Sequence, residues 1–214
     1  MNFDKDLTLE EIFNLAVQNH KDKKLDSAKD LYNEVLKINP SNKDAHNNLG
    51  ILFQTLGDNQ KAKSYYEKAI ELNPAFDLAH NNLGALLDKL GNNQKAIGHF
   101  EKAIEINPAF TDAHVNLGNS FKKLKEYRKA INCYEKVIEI DPNHEKSYSS
   151  LGTLLHLLGE DQKAIICFEK VIEIDPTYAM THFNLGTVYI KLKIAGVLAE
   201  KKAIMPVNAR PEAM

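Results

Sequence analysis

The sequence has little cysteine, no excess of charge of either sign and no long hydrophobic run. Two cysteines in 214 residues are too few for a disulfide framework and favour a reducing compartment. The formal net charge is -2 and the charges are interspersed, so no basic stripe is available to neutralise nucleic-acid phosphates. No run reaches the roughly 20 apolar residues of a membrane span, and residues 1–11 lack the basic start and apolar core of a signal peptide. We therefore expect a cytoplasmic protein that binds neither nucleic acid nor membranes.

The short motifs of common catalytic and cofactor sites are also missing. The sequence contains no phosphate-binding glycine loop, no nucleophile elbow and no dinucleotide-binding fingerprint. We therefore predict that the chain is not an enzyme and has no cofactor.

What the sequence does contain is a period of 34 residues. Prolines recur with this step at Pro40, Pro74, Pro108, Pro142 and Pro176. A Leu-Gly pair keeps the same step, with its glycine at Gly50, Gly84, Gly118, Gly152 and Gly186. Each of the first four glycines is followed by an alanine twelve residues later and by an aromatic residue four residues further on. A fixed period of this size indicates stacked repeats.

Each repeat is expected to form two antiparallel helices. Residues 43–55 and 60–72 both carry apolar residues at helical spacing, and Gly57 between them can take the left-handed conformation that ends a helix. Pro74 ends the second helix because it has no amide hydrogen to donate. The small Gly50 lets the two helices approach closely. One such pair cannot cover its own apolar face, so we predict an all-α fold of stacked pairs.

The Leu-Gly pair, the alanine, the aromatic residue and the closing proline at this step resemble the tetratricopeptide repeat (TPR). The resemblance implies an α–α superhelix, a right-handed solenoid whose first helices line a concave, peptide-binding groove. We predict an N-terminal lead (1–8), the TPR superhelix (9–193) and a divergent capping helix with a tail (194–214). The predicted repeats are 9–42, 43–76, 77–110, 111–144 and 145–178, followed by the first helix of a sixth at 179–193.

An asparagine recurs two residues before the glycine position. The residues at this position, which we call the ladder, are Asn14, Asn48, Asn82, Asn116, Ser150 and Asn184. The preceding position varies, with Asn47, Asn81, Val115, Ser149 and Phe183. At about 100° per residue Asn48 points away from the packed side of its helix, and in the resembled architecture it faces the groove. An amide matches the C=O and N–H of one peptide unit, so the ladder is predicted to hold the backbone of an extended peptide.

A similar asparagine ladder lines the repeat superhelix of O-linked N-acetylglucosamine transferases, where it holds extended protein substrates. The alternative interpretation is a solvated surface, because asparagine is abundant elsewhere in the chain. Against it, asparagine costs up to about 0.7 kcal/mol per helical site relative to alanine. Further residues predicted to bind peptide or to tune specificity are Asn119, Lys89 and Lys122, beside Asp88, Lys123 and His156. The carboxylate clamp of some TPR proteins is not expected, since Val115 stands where a clamp lysine should be.

Histidine and cysteine, which are common metal ligands, also recur with the 34-residue period. They form two sets, His46, His80, His114 and His182 in first helices, and His99, Cys133 and Cys167 in second helices. Equivalent residues of stacked pairs lie roughly 10 Å apart, whereas metal ligands lie within about 2.0–2.3 Å of the ion. We therefore interpret the histidines as spacers between helices and predict no metal site.

The period fails after Lys193, so the sixth repeat is incomplete. The places of the alanine, the aromatic residue and the proline are taken by Leu198, Lys202 and Arg210. The helix at 179–193 would then expose an apolar side. We favour a divergent capping helix at 197–205. The alternatives are that the chain is part of a longer protein or that this end mediates self-association.

Two functions fit these features. We predict a protein–protein interaction scaffold that binds an extended peptide segment in the groove. The alternative is the substrate-recruiting N-terminal region of a larger glycosyltransferase or similar enzyme. A reading frame that continues past Met214 into a transferase-like stretch would favour the alternative.

Overall fold

A computed structural model describes residues 7–177 and 179–204, apart from the side chains of residues 179 and 197–204. This part of the chain contains eleven α-helices and no strand, which confirms the predicted all-α fold. The helices are α1 (Leu9–Lys21), α2 (Leu25–Ile38), α3 (Lys43–Thr55), α4 (Asn59–Leu72), α5 (Asp77–Lys89), α6 (Asn93–Ile106), α7 (Thr111–Lys123), α8 (Tyr127–Ile140), α9 (Glu145–Leu157), α10 (Asp161–Ile174) and α11 (Ala179–Ile204). None of the helices described is long and apolar enough to cross a membrane.

The helices form two compact units, unit 1 with α1 to α7 and unit 2 with α8 to α11. In unit 1 the pairs α1–α2, α3–α4 and α5–α6 pack most closely, and each second helix also contacts the first helix of the next repeat. The first helices α1, α3, α5 and α7 additionally contact one another in sequence. In unit 2 the pair α9–α10 packs most closely, with α8 against α9 and α11 against both α10 and α9. The stacked helix pairs predicted from the period are therefore present in each unit.

At Gly50 and Gly84, an aromatic ring of the second helix leaves no space for a larger side chain. A methyl group added at Gly84 would lie 2.7 Å from Phe100 Cε1, and one at Gly50 would lie 2.5 Å from Tyr66 Cε1. Tyr66 and Phe100 are each only 1% exposed, so neither ring has space into which it could move. The close approach of the two helices in a repeat thus depends on this glycine.

The turn inside each repeat needs one residue with positive φ. Gly57, Gly91 and Gly159 have φ values of 83°, 81° and 80°, whereas Lys23 and Lys125 hold the equivalent position with φ of 61°. A non-glycine residue in this region is strained by its Cβ atom. In unit 1, α1 and α2 pack as a pair although Lys23 replaces glycine in their turn, because the packing of the pair outweighs this strain.

The recurring histidines bind the preceding repeat. In four first helices the Nε2 atom lies 2.9 to 3.1 Å from the carbonyl oxygen of the proline six residues earlier, as His46–Pro40, His80–Pro74, His114–Pro108 and His182–Pro176. The carbonyl oxygen of the proline that follows the preceding helix thereby gains a hydrogen-bond donor from the next first helix. The histidines are therefore hydrogen-bonding residues and not merely spacers.

The last helix does not break where the period fails. We predicted that a first helix ends at residue 193 and that a separate capping helix follows, but α11 runs continuously over Ala179–Ile204. The turn that ends α5 contains Leu90-Gly91-Asn92, whereas the corresponding residues in α11 are Leu192, Lys193 and Ile194. Isoleucine ranks among the poorest N-cap residues, so the sequence signal for the start of a new helix is weak at this point. The predicted boundary at 193 falls inside a helix.

Candidate functional site

A cleft opens between the first helices of two consecutive repeats in unit 1. Its volume is about 410 Å³, within the range of about 300–1,000 Å³ typical of ligand sites. It is lined by Ile51, Gln54 and Thr55 of α3, Tyr66 of α4, and Asn82, Ala85 and Lys89 of α5. We call it the α3–α5 cleft. It brings together two residues predicted to bind peptide, Asn82 and Lys89.

Tyr66 fixes the side chain of Gln54 at the α3–α5 cleft. The Tyr66 hydroxyl donates a hydrogen bond to Gln54 Oε1 at 2.8 Å. Burial raises the pKa of Tyr66, so the hydroxyl stays protonated and remains a donor at neutral pH. Gln54 is therefore fixed at the cleft with its carbonyl oxygen occupied.

The ladder asparagines of unit 1 are bonded to the preceding repeat. Asn82 Nδ2 donates to Asn47 Oδ1 at 2.9 Å, and Asn116 Nδ2 donates to Asn81 Oδ1 at 3.0 Å. Asn47 and Asn81 are only 4% and 7% exposed. An amide pair thus joins α3 to α5 and α5 to α7, which explains why two asparagines stand side by side in α3 and α5.

The position before the ladder was not predicted to have a role, because only one helix was considered. Asn47 is buried by the next first helix, which supplies the Asn82 donor. The ladder side chains keep part of their surface, since Asn48, Asn82 and Asn116 are half-buried.

Ladder residues also contact the repeated tyrosine of the preceding second helix. A hydrogen bond from Asn48 lowers the pKa of Tyr32, but burial has the larger effect and raises it to about 12. Ser150 has the same relation to Tyr134 in unit 2, where burial raises the tyrosine pKa to about 12. The ladder position therefore has a structural contact in both units.

Lysines at equivalent positions of the first helices differ in their partners. Lys123 forms an ion pair with Asp88, which also accepts a hydrogen bond from Ser120 Oγ at 3.0 Å. In unit 2, Lys191 pairs with Asp161 at 2.8 Å, and Asp161 also contacts His156 Nδ1 at 2.6 Å. Asp88, Lys123 and His156, predicted to tune specificity through charge, are thus already engaged within the protein.

The remaining predicted residues lie on the first helices of both units. In unit 1, Asn14 and Lys122 are exposed and Asn119 is half-buried. In unit 2, Ser150 and Asn184 are half-buried. None of these lines the α3–α5 cleft, so for them peptide binding stays a prediction.

No group of three or more His, Cys, Asp and Glu side chains is placed to hold a metal within the described part of the chain. The nearest approach to such a group in unit 1 is His80 and His99, whose Nδ1 atoms lie 3.2 Å apart. Since His80 Nε2 faces the Pro74 carbonyl oxygen, this is a hydrogen bond between two neutral rings. In unit 2, burial raises the pKa of the Cys167 thiol to about 11, which makes it a poor nucleophile or ligand at neutral pH.

The chain belongs to the tetratricopeptide repeat family. A tetratricopeptide repeat model matches residues 44–76, 78–110, 111–144 and 145–178, and a second model of this repeat matches residues 167–195. The family predicted from the 34-residue period is thereby confirmed. A comparison with curated proteins gave no match.

Solved structures of other proteins share the fold. MamA is 28% identical with a TM-score of 0.69, over 77% of this chain and 96% of MamA. YrrB, a TPR protein with an unusual peptide-binding site, is 22% identical with a TM-score of 0.66, over 82% of this chain and 91% of YrrB. PilF of Pseudomonas aeruginosa is 20% identical with a TM-score of 0.76, over 87% of this chain and 91% of PilF.

Proposed function

We propose that this protein is a protein–protein interaction scaffold whose first helices bind an extended peptide segment. The observation that carries the proposal is the α3–α5 cleft, in which the Asn82 amide and the Lys89 ammonium stand beside the apolar side chains of Ile51 and Ala85. Peptide sites combine apolar contact area with a few placed polar groups, and this cleft offers both. TPR membership and the peptide-binding site of YrrB support the same role.

The ladder contributes backbone contacts in this proposal. Asn82 uses Nδ2 for the bond to Asn47, and Oδ1 has no hydrogen-bond partner among the residues that the structure describes. An amide oxygen at the cleft can accept from a backbone N–H of an extended chain, whatever its side chains are. Asn48 and Asn116 on the flanking first helices would extend the contact along the peptide.

The test must separate binding from stability, because Asn82 also joins two repeats. Asn82→Ala and Asn47→Ala remove the same hydrogen bond, but Asn47 is 4% exposed and does not line the cleft. A phage-displayed library of random dodecapeptides is selected on the immobilised protein, and bound peptides are synthesised with a fluorophore. Their affinities for the wild type and both variants are measured by fluorescence anisotropy, and melting temperatures by circular dichroism.

We expect both variants to melt at lower temperature and only Asn82→Ala to lose affinity. The loss should be about fivefold to tenfold, the effect of one net hydrogen bond. Selection of no peptide, or equal affinity in Asn82→Ala and the wild type, would refute the proposal.

We further propose that α11 mediates self-association. Phe183 is 68% exposed, although its equivalents Asn47 and Asn81 are covered by the next first helix. Ile190 and Ile194 of α11 are 62% and 54% exposed. Because a first helix covers this face elsewhere, α11 of a second copy is the occupant we propose.

Sedimentation velocity tests this contact. We expect a concentration-dependent dimer in the wild type and a monomer in the double variant Phe183→Glu, Ile190→Glu. Ile38→Glu on α2, at a site 56% exposed, is the control and should leave the dimer intact. A wild type that stays monomeric at every concentration would refute the proposal.

A further inference from the structure

We infer that the α3–α5 cleft selects peptides that carry an aspartate or glutamate side chain, with Lys89 as the group that recognises it. The inference rests on the proposed function and names the chemistry of its ligand. The partner is a segment of another protein with a carboxylate side chain next to small apolar residues.

The argument begins from a comparison of equivalent lysines. The 34-residue step places a lysine at the same point of four first helices, as Lys21 in α1, Lys89 in α5, Lys123 in α7 and Lys191 in α11. Lys123 is neutralised by Asp88, and Lys191 by Asp161. Among the residues that the structure describes, Lys21 and Lys89 have no carboxylate partner. Of the four equivalent lysines, Lys89 is the one that lines the α3–α5 cleft, and it does so without a counter-charge from the described residues.

The missing counter-charge has a definite place in the sequence. Asp88 pairs with Lys123 of the next repeat, and the residue 34 positions before Asp88 is Gln54. Gln54 and Lys89 line the same cleft. Gln54 thus places a neutral amide where the following repeat has the carboxylate of Asp88. Within the described part of the chain Lys89 therefore lacks a counter-charge, which a carboxylate of the ligand can supply.

The neighbouring groups suit a carboxylate. Gln54 Oε1 is occupied by the Tyr66 hydroxyl, so the Gln54 amide nitrogen is the atom left to donate. Asp88, the acidic neighbour of Lys89 in sequence, is held by Ser120 and Lys123 on α7. A carboxylate in the cleft would therefore meet an ammonium and an amide donor, and charge-assisted hydrogen bonds of this kind are the stronger ones.

Overall charge cannot produce the same preference. The chain has a formal net charge of -2, which weakly favours cationic ligands. A preference for acidic peptides would therefore have to come from a local site. We therefore assign a preference for acidic peptides to Lys89.

The test repeats the dodecapeptide selection on the wild type, Lys89→Glu and Lys95→Glu. Both substitutions change the net charge equally, but Lys95 is exposed on α6 and does not line the cleft. We expect aspartate or glutamate to be enriched at one peptide position on the wild type and on Lys95→Glu. On Lys89→Glu we expect lysine or arginine at that position.

Affinities of the selected peptides give the second readout. Replacing the acidic residue by its amide should weaken binding to the wild type about threefold to tenfold, and should have little effect on binding to Lys89→Gln. Gln54→Asp, which places a carboxylate in the cleft as Asp88 does in the next repeat, should abolish the preference. The difference between acid and amide peptides should shrink at high salt.

The outcomes separate this inference from the proposed function. Peptides that depend on Asn82 but show no acidic position, or an acidic position unchanged by Lys89→Glu, would overturn the inference and leave the proposed function standing. Selection of no peptide would overturn both.

Discussion

At the scale of single residues, the repeated glycine has a role that depends on its neighbour. Gly84 lies against the buried Phe100 ring, whereas a methyl group added at Gly186 would meet nothing within 4 Å. We expect Gly84→Ala to lower the free energy of unfolding by about 1–3 kcal/mol, because the ring cannot yield. Gly186→Ala should be neutral or raise it by up to about 1 kcal/mol, since alanine favours helix.

Urea unfolding followed by circular dichroism checks both glycine variants. The pair shares one chemical change and one place in the repeat, so intrinsic helix propensity cancels. Equal effects at the two positions would show that the aromatic contact does not require the glycine.

Two histidines make stability depend on pH. His80 and His99 share a hydrogen bond in unit 1, and burial lowers both pKa values from the ordinary 6.5. The hydrogen bond to the Pro74 carbonyl raises the His80 pKa by less than burial lowers it, and Lys102 lowers it further. His80 lowers the pKa of His99, and Glu67 raises that of His99 by less than burial lowers it. The unfolded chain therefore binds more protons just below pH 6.5, and stability contributed by the neutral pair is lost as the pH falls through that range.

We expect the urea concentration at the unfolding midpoint to decrease as the pH is lowered from about 7.5 to about 5.5. The decrease should be smaller in His99→Tyr than in the wild type. Tyrosine is a fitting replacement because Tyr65 holds the equivalent place beside His46, with ring centroids 5.9 Å apart. Burial also lowers the pKa of His20, but that residue is present in both proteins and cancels in the comparison. An equal fall in both would exclude the pair as the cause.

At the scale of helices and turns, Lys23 holds a position that suits glycine. Its φ of 61° costs a non-glycine residue about 1–2 kcal/mol, partly offset because glycine adds entropy to the unfolded chain. We expect Lys23→Gly to raise the free energy of unfolding by up to about 1 kcal/mol. Gly91→Lys, at φ 81° with nothing within 4 Å of an added Cβ, should have the opposite effect.

Chemical denaturation of the two turn variants is the measurement. The control Lys24→Gly lies at the next residue, where φ is -83° and glycine brings no relief. If Lys24→Gly raised the free energy of unfolding as much as Lys23→Gly, the cause would be the removal of a positive charge and not the relief of strain.

Helix boundaries could be predicted from the sequence more completely than side-chain contacts. The predicted segments 43–55 and 60–72 correspond to Lys43–Thr55 and Asn59–Leu72, because glycine, proline and apolar spacing are local signals. The burial of Asn47 could not be found in this way, since it depends on a helix 34 residues further along the chain. The pairing of Lys123 with Asp88, and the absence of such a partner for Lys89, likewise appear only when neighbouring repeats are placed together.

At the scale of the whole molecule, a repeat protein is held together by contacts between neighbours, so its ends are its weakest elements. In unit 2, α9 packs against α8 and α10, whereas the described contacts of α11 are with α10 and α9, and its exposed side includes Phe183 and Ile190. The proposed self-association would cover that side. Protection of α11 should therefore depend on protein concentration, while protection of α9 should not.

Hydrogen exchange followed by mass spectrometry measures this dependence. In dilute solution we expect the amides of α11 to exchange faster than those of α9, after correction for intrinsic rates. At concentrations where the dimer predominates, exchange in α11 should slow while α9 is unchanged. In Phe183→Glu, Ile190→Glu the exchange of α11 should stay fast at all concentrations. If α11 of that variant becomes protected with concentration as the wild type does, the contact lies on another surface.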